Sequence, residues 1–437
     1  MMDINNQKKN TVHKAAYELD LAIIGGGASG LAAAVAAGRE LGGKASIAVF
    51  DAQPRCGKKL LATGNGRCNL TNRSAKPSCY HTDDAQALHR VFSGVNVSDT
   101  LEFFETLGLI CREEDEGRMY PSCGQASAVL DLLRLELVRL NIAEVCGCRV
   151  DQIRRQDNGF VMTSPLGTIR ANCVIVACGG RAAPNLGGVD WGYDLLSSLG
   201  HTSTRLNPSL CPIPVESPHL SSLKGIRAHA GATIRDERGV IYSDSGEVQF
   251  GDKALSGIVM FQLSSAAANL RSDTLCVELD MLLERSGDEI VSLLTRRRTL
   301  LPHLTLENYL TGVFNKRVGM CILKQAGMTP LSRSVSELTD DDIGRIASVI
   351  KCWRFPVSGK SQWNSAQVTS GGIRLAEFDG LTMQSRLCKG IFASGEVLNV
   401  DGFCGGFNLQ WAWSSGILAG RSAAERIRRE SSSEKEF

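Results

Sequence analysis

Four glycines and one carboxylate make the clearest chemical pattern in this chain. Gly25, Gly26 and Gly27 are followed by Ala28, Ser29 and Gly30, satisfying G-x-G-x-x-G, and Asp51 stands about twenty residues further on. The glycines answer separate physical demands. Gly25 permits a tight turn, Gly27 lets the backbone approach a pyrophosphate, and Gly30 lets a following helix lie against the preceding strand. The unpaired N–H groups of the first helical turn then face the phosphates, while an acid at Asp51 accepts hydrogen bonds from ribose hydroxyls. The pattern is that of a dinucleotide site.

The elements needed to hold such a site occur in the right order. Leu19–Ile24 is an apolar run suited to a strand buried on both faces. Leu31–Leu41 is rich in alanine and leucine and reads as a helix packed close on a sheet. Ser46–Phe50 reads as a second strand delivering Asp51. Residues 52–72 show almost no apolar period but carry Gly57, Gly64 and Gly66 with Arg55, Lys58, Lys59 and Arg67. A loop leaving that strand lies across the carboxyl edge of a parallel sheet, where ligands bind, and its basic groups and glycine N–H groups suit phosphate.

Composition excludes more than it selects. At 437 residues the chain exceeds one ordinary core, and a net charge of +2 gives no global push toward nucleic acid or an anionic membrane. None of the 15 cysteines forms CxxC and some, such as Cys173 and Cys178, fall in apolar runs, which reads as reduced cysteines in a cytoplasmic protein. Residues 1–17 are polar. Glu18 and Asp20 interrupt the apolar run that follows, against a signal peptide, and no span is long enough to cross a bilayer. The 7 histidines are scattered, and no Ser/His/Asp triad or metal cluster stands out.

Residues 54–72, PRCGKKLLATGNGRCNLTN, closely resemble the G-[KR]-K-x-L-x-[ST]-G-x-G-R-C-N-x-T-N segment of the BaiN/RdsA family of FAD-dependent oxidoreductases. The resemblance implies that this loop wraps FAD through Lys58, Lys59, Gly64, Asn65, Gly66, Arg67, Cys68 and Asn69. Cys56 stands where an apolar residue is commoner. Its spacing from Cys68 is not that of a dithiol beside a flavin. Gly117–Pro121 resembles the family's G-R-x-[FY]-P, with Cys123 where serine is commoner; Tyr120 there is a possible proton donor but reads better as packing. Val150 matches the position whose backbone contacts adenine. The run Asn172–Cys178 into Gly179-Gly180 resembles the A-T-G-G return beside the cofactor, with Cys178 for the usual threonine. Gly246–Gly257 resembles G-E-x-x-F-x-x-x-x-L-S-G.

Near the carboxyl end, Ser394-Gly395-Glu396 resembles the second flavin fingerprint, in which a buried strand brings an acid toward the ribityl chain. Asp401–Ala412, DGFCGGFNLQWA, matches D-x-D-G-x-x-G-G-[YF]-N-x-Q-W-A almost throughout, with Asn399 for the first acid. A helix is expected from near Asn408 to Arg429. Its start after Gly405-Gly406, at Phe407, Asn408 and Leu409, would face the pyrimidine end of the isoalloxazine. Reduction makes that end anionic, so the helix dipole favours the reduced flavin. Trp411 and Trp413 read as core.

Elsewhere, Ala85–Phe92, Asp99–Leu107 and Ala126–Leu140 have helical spacing, and residues 84–142 as a whole read as helices. Strands are expected at Cys146–Ile153, Gly159–Ser164, Thr168–Ile169, Asn172–Cys178, Ala228–Arg235, Val240–Tyr242, Glu247–Phe250, Ala366–Ile373 and Gly390–Val397. Helices are expected at Leu282–Leu300, Phe314–Gln325 and Asp340–Ile350, the last capped by Thr339 or Asp340. Prolines among serines over Ser203–Ser222 mark a boundary, and Arg296-Arg297-Arg298 reads as a solvated helix end.

With the resemblance, the expected fold is α/β: a Rossmann-like FAD-binding domain over 18–200 and 366–430, an inserted β-rich unit over 201–279 and 351–365, and a helical cap over 280–350. An arm (1–17) and a tail (431–437) flank them. No second G-x-G-x-x-G exists, so NAD(P)H is expected only as a transient reductant. The resemblance implies reduction of a carbon–carbon double bond conjugated to a carbonyl, on a small-molecule enone such as a 3-oxo-Δ4 or Δ4,6 bile acid or steroid. Alternatives are dihydrouridine formation in ribosomal RNA, an amine oxidase using oxygen, and a non-catalytic flavin module. Nucleic acid is a partner only under the first of these alternatives. Neither membrane insertion nor a metal is expected, and catalytic side chains and oligomeric state have no sequence signal.

Overall fold

The computed structural model describes residues 17–270 and 274–433. The arm read over 1–17 lies outside these residues except for Tyr17, which already belongs to the first strand. Of the tail, 431–433 continue the last helix and the remainder lies outside. Ion pairs at helical spacing, Glu425 with Arg429 and Arg426 with Glu430, support that extension.

The chain divides into two compact units, one made of residues up to Thr204 and from Gly371 onward, the other of Arg205–Ser370. These boundaries lie a few residues beyond the expected ones. The reason is local: the Thr204 N–H donates to the Gly372 carbonyl at 2.8 Å, and Ser203 bridges Ile373, so both ends still belong to the first unit.

The first unit is built on a sheet. Its elements are β1 (Tyr17–Ile24), α1 (Ala28–Glu40), β2 (Ile47–Asp51), β3 (Ala143–Cys146), β4 (Gly167–Val176), β5 (Ile391–Ala393) and α2 (Phe407–Ser433). The parallel order is β3–β2–β1–β4, with Leu21 opposite Ile47 on one side and Cys173 on the other. The outer edge of β4 is shared: Gly167–Ala171 pair antiparallel with Phe160–Ser164, and Val174–Val176 pair parallel with β5. Leu21–Ile24 are fully buried, which explains a strand without polar alternation.

Several expected elements change. The strand expected at Cys146–Ile153 is two strands, β3 and Gln152–Gln156, because Gly147 turns the chain at φ +67°. Thr168–Ile169 and Asn172–Cys178 merge into the one strand β4. The region 84–142 does contain helices at Ala85–Gly94, Val97–Glu105 and Ala126–Arg139, but Cys111–Glu113 and Arg118–Pro121 between them are strands, joined by Thr71–Asn72 in a small antiparallel sheet. The 52–72 loop holds a helical turn at Lys58–Ala62.

The second unit carries a six-stranded antiparallel sheet in the order Ile213–Pro214, Ala254–Ser256, Gly239–Phe250, Arg227–Asp236, Cys276–Asp280, Trp353–Pro356. Val240–Tyr242 and Glu247–Phe250 are therefore one strand. Its helices include Gly287–Leu300, Lys316–Gln325 and Asp340–Lys351. Strand residues such as Ile234, Val277 and Phe355 share one buried cluster with helix residues such as Leu294, Ile322 and Ile346, so the β-rich stretch and the helical stretch have a single core rather than two. The strand expected over Ala366–Ile373 is only Val368–Ser370, paired with Asn207–Ser209 and ended by Gly371 and Gly372 at positive φ.

Candidate functional site

The glycine turn joins β1 to α1, and the three motif glycines meet different surroundings. At Gly25, φ +111°, a Cβ would lie 2.3 Å from the Ala177 carbonyl oxygen; at Gly30 it would lie 1.9 Å from the Gly25 carbonyl oxygen. At Gly27 it would meet no heavy atom within 4 Å. Gly27 is also the N-cap of α1, and no side chain caps that end, so Ala28 and Ser29 open the helix with backbone N–H groups unclaimed by a capping side chain. Ser29 Oγ donates to the Ser394 carbonyl at 3.4 Å, tying the turn to the end of β5.

Asp51 does more than await a ribose. Its Oδ2 accepts from the Gly26 N–H at 2.8 Å and its Oδ1 from Gln53 N–H at 2.7 Å. The carboxylate thus fastens the glycine turn to the end of β2. Burial raises its pKa, opposed by these two backbone N–H donors. Each oxygen keeps a lone pair for a further donor.

The 52–72 loop returns to the same place. Gly57 N–H donates to the Gly26 carbonyl at 2.8 Å. Lys58 Nζ donates to Gln53 Oε1 at 3.2 Å, and Lys59 pairs with Glu396 at 2.7 Å, joining the loop to the segment after β5. Gly64, Asn65, Gly66 and Cys68 all take left-handed φ values between +55° and +84°. Cys68 is wholly buried, and burial pushes its thiol up to about 12. Arg67 pairs with Glu114 and lies over the Tyr120 ring at 4.3 Å. Asn69 is buried, and its Oδ1 has no hydrogen-bond partner among the described residues.

Val150 is buried beside this corner, where Gly147 and Cys148 donate to the Gln53 and Asp51 carbonyls. Gly179, φ +76°, leaves the place of a Cβ open, and the Gly180 carbonyl accepts from Val189 at 2.9 Å. On the carboxyl side, Gly395 takes φ +76° and is held by Ser415 Oγ and the Trp411 indole N–H, at 2.9 and 3.0 Å. Gly405 and Gly406, at φ +114° and +100°, lead into α2. Asn72 Nδ2 donates to the Gly405 carbonyl at 3.0 Å, and a Cβ on Gly406 would collide with the Thr71 carbonyl at 2.5 Å. The Tyr80 hydroxyl donates to the carbonyl of buried Phe407 at 2.8 Å, while Leu409 is half-buried. Asn408 folds back: its side chain accepts from Gly402 N–H and donates to the Gly402 carbonyl, both at 2.9 Å. Trp413 is buried with its N–H on the Leu70 carbonyl.

Sequence reasoning missed His81. It lies on Tyr80–Thr82, which pairs antiparallel with Val400–Gly402, and its Nδ1 is 3.3 Å from Asp401 Oδ2. Asp401 is buried and its Oδ1 has no hydrogen-bond partner among the described residues. The hydrogen bond to this carboxylate raises the pKa of His81, which is half-exposed. The pairing spans the length of the chain, so nothing near His81 signals it.

Over residues 19–422 the sequence matches the model of the HI0933-like protein Rossmann domain. The chain belongs to that family. A 3-dehydro-bile acid delta(4,6)-reductase of Clostridium scindens is 36% identical over 408 residues, 93% of this chain and 99% of its own length. A ribosomal RNA dihydrouridine synthase of Escherichia coli is 27% identical over 399 residues, 91% of this chain and 96% of its own. Among solved structures, a 3-ketosteroid-delta4-(5alpha)-dehydrogenase from Rhodococcus jostii aligns with TM-score 0.50 at 15% identity, covering 96% of this chain and all of its own; that likeness is one of fold.

One further constellation in this family member has the residue types of a triad. His201 Nε2 lies 3.0 Å from Ser385 Oγ and its Nδ1 2.9 Å from Glu377, while its ring stacks on Phe378. Ser385 is buried, and its oxygen already accepts from the Leu387 and Cys388 N–H groups. The trio clamps the turn before β5. Among the described residues no helix is long and apolar enough to cross a membrane.

Proposed function

We propose that this chain is an FAD-dependent oxidoreductase that reduces a carbon–carbon double bond conjugated to a carbonyl, with a 3-oxo-Δ4 or Δ4,6 bile acid or steroid as substrate class and NAD(P)H as transient electron donor. The observation that carries the FAD reading is the meeting of four separate segments in one unit: the glycine turn, the 52–72 loop, the exit of β5 and the start of α2, cross-tied through Ser29–Ser394, Lys59–Glu396 and Asn72–Gly405. The surroundings fit a dinucleotide. Gly27 and Gly179 leave open the space a side chain would fill, and Asn69 Oδ1 and Asp401 Oδ1 are buried acceptors without a protein partner among the described residues. The similarity to the Clostridium scindens reductase over nearly the whole chain supports the substrate class.

In this reading Gly25–Gly30 and the first turn of α1 receive the pyrophosphate, and Asp51 accepts from ribose with the lone pairs the turn leaves free. Glu396 and Asp401 would hold the ribityl region, and the positive end of α2 would favour an anionic, reduced group. Bound there, FAD supplies hydride chemistry at its N5. Reduction of an enone also needs a proton at the α-carbon. His81, whose proton Asp401 holds beyond the ordinary imidazole range, is the proton source we assign.

The test is anaerobic reduction of the purified yellow protein by NADH or NADPH, followed by addition of an oxidant. Stoichiometric reoxidation by a 3-oxo-Δ4,6 bile acid is the expected result. Failure of every enone, with rapid reoxidation by oxygen alone, overturns the reading. The similarity to the Escherichia coli synthase supports the second reading, ribosomal RNA; reoxidation by rRNA that weakens steeply with salt would select it.

A further inference from the structure

Ninety residues apart in sequence, Cys56 and Cys146 meet beside the glycine turn with their sulfurs 3.7 Å apart. The meeting is made by the sheet. β2 and β3 pair in parallel with Asp51 opposite Cys146, and the loop after β2 folds Cys56 back over that edge. The Cys56 sulfur sits directly on the turn, since a Cβ on Gly26 would lie 2.2 Å from it. Glu144, two residues before Cys146, completes the group: both sulfurs and a carboxylate oxygen all lie within 4.8 Å of one another. Cys56 is buried, while Glu144 and Cys146 are partly exposed, so an ion has a way in from solvent.

This geometry suits a particular kind of ligand. Tetrahedral zinc, with Zn–S bonds of about 2.3 Å, sets two thiolate sulfurs roughly 3.8 Å apart and takes a carboxylate oxygen as a third donor, leaving the fourth position to water. Arg134 Nε donates to both Glu144 oxygens, at 2.9 and 3.1 Å, as outer partners of metal-bound carboxylates do.

We propose that Cys56, Glu144 and Cys146 form a binding site for a soft divalent cation, zinc in the first place, that fastens the loop after β2 to the sheet edge next to the glycine turn. Binding releases the two thiol protons and leaves the oxidation state of every atom unchanged. The site is independent of the proposed reaction and rests on side chains that the enone chemistry does not use.

The experiment uses the full-length protein with its flavin, stripped with a chelator, reloaded with zinc, desalted and measured by elemental mass spectrometry. About one zinc per chain is expected, falling below about one tenth in Cys146→Ser and weakened in Glu144→Gln, with flavin content unchanged in both. X-ray absorption at the zinc edge should report two sulfur neighbours and two lighter ones. Cys146→Ser is the variant of choice because Cys56 packs on the turn and its replacement disturbs the fold. Equal zinc retention in wild type and Cys146→Ser overturns the proposal. So does failure of the wild type to retain zinc, including the case where mild peroxide converts the pair to a disulfide and the cysteines act as a thiol pair only.

Discussion

A valine at Gly27 and a valine at Gly30 meet opposite surroundings although the two sites are three residues apart. At Gly27 the new side chain enters open space on the face of the turn, at an ordinary backbone conformation with φ −83°. Gly27→Val should therefore leave the apoprotein as stable as wild-type apoprotein while flavin occupancy falls below about a tenth, because the blocked volume is the cofactor's. At Gly30 the Cβ would sit 1.9 Å from a backbone carbonyl. Gly30→Val should cost at least about 3 kcal/mol of stability with or without flavin. Thermal melts of the two apoproteins beside the visible flavin absorbance of each purified protein separate the cases; a Gly27→Val protein that purifies yellow would place the cofactor elsewhere. His81 yields a pH prediction. Its hydrogen bond to Asp401 raises its pKa, so it keeps its proton to higher pH than a free imidazole and loses it as pH rises further. Enone reduction should fall on the alkaline side with that pKa, and His81→Gln should lower kcat about 100-fold and flatten the limb. An unchanged pH profile in His81→Gln would remove it as the proton source.

At the scale of elements, the site depends on how closely α2 lies on α1. Gly416 and Gly420 place their Cα atoms against the Ser29 and Ala33 carbonyls, where a Cβ would come within 2.3 and 2.2 Å. Gly420→Leu should force the helices apart and lower stability by about 3 kcal/mol or more, while Arg421→Leu, on the exposed face one residue on, should stay within about 0.5 kcal/mol. Flavin affinity should fall with the first and not the second, because the start of α2 moves with its body; equal melting temperatures would show the helices less tightly coupled than their glycines imply. These elements were legible in the sequence wherever the signal was local. The glycine turn, β1, α1 and the Thr339 cap of Asp340–Lys351 follow from spacing and from side chains that hydrogen-bond a few residues away. The strands Cys111–Glu113 and Arg118–Pro121 were not legible, since short strands draw their stability from partners that a linear reading does not supply. The same holds for His81 with Asp401, for Ser385–His201–Glu377, and for the Cys56–Cys146 pair, each assembled by pairing between distant segments.

On the scale of the whole molecule, the second unit is a continuous insertion with separate means of support. Residues 205–370 own a single buried cluster, and their first and last segments, Asn207–Ser209 and Val368–Ser370, pair with each other, so the unit's two ends lie side by side. The first unit is closed at the same point: Thr204 N–H donates to the Gly372 carbonyl at 2.8 Å, and Gly372 N–H returns to Thr204 Oγ1 at 3.1 Å. A chain in which a short Gly/Ser linker of about four residues joins Thr204 to Gly371 can therefore close without moving either strand end. Every residue assigned to the cofactor lies in the unit that remains. The shortened protein should purify yellow and melt cooperatively, and the excised 205–370 should fold on its own by circular dichroism. Because the remaining unit keeps every residue assigned to the cofactor, its flavin should still be reduced chemically by dithionite. A colourless product would mean that the insertion is needed to hold the flavin.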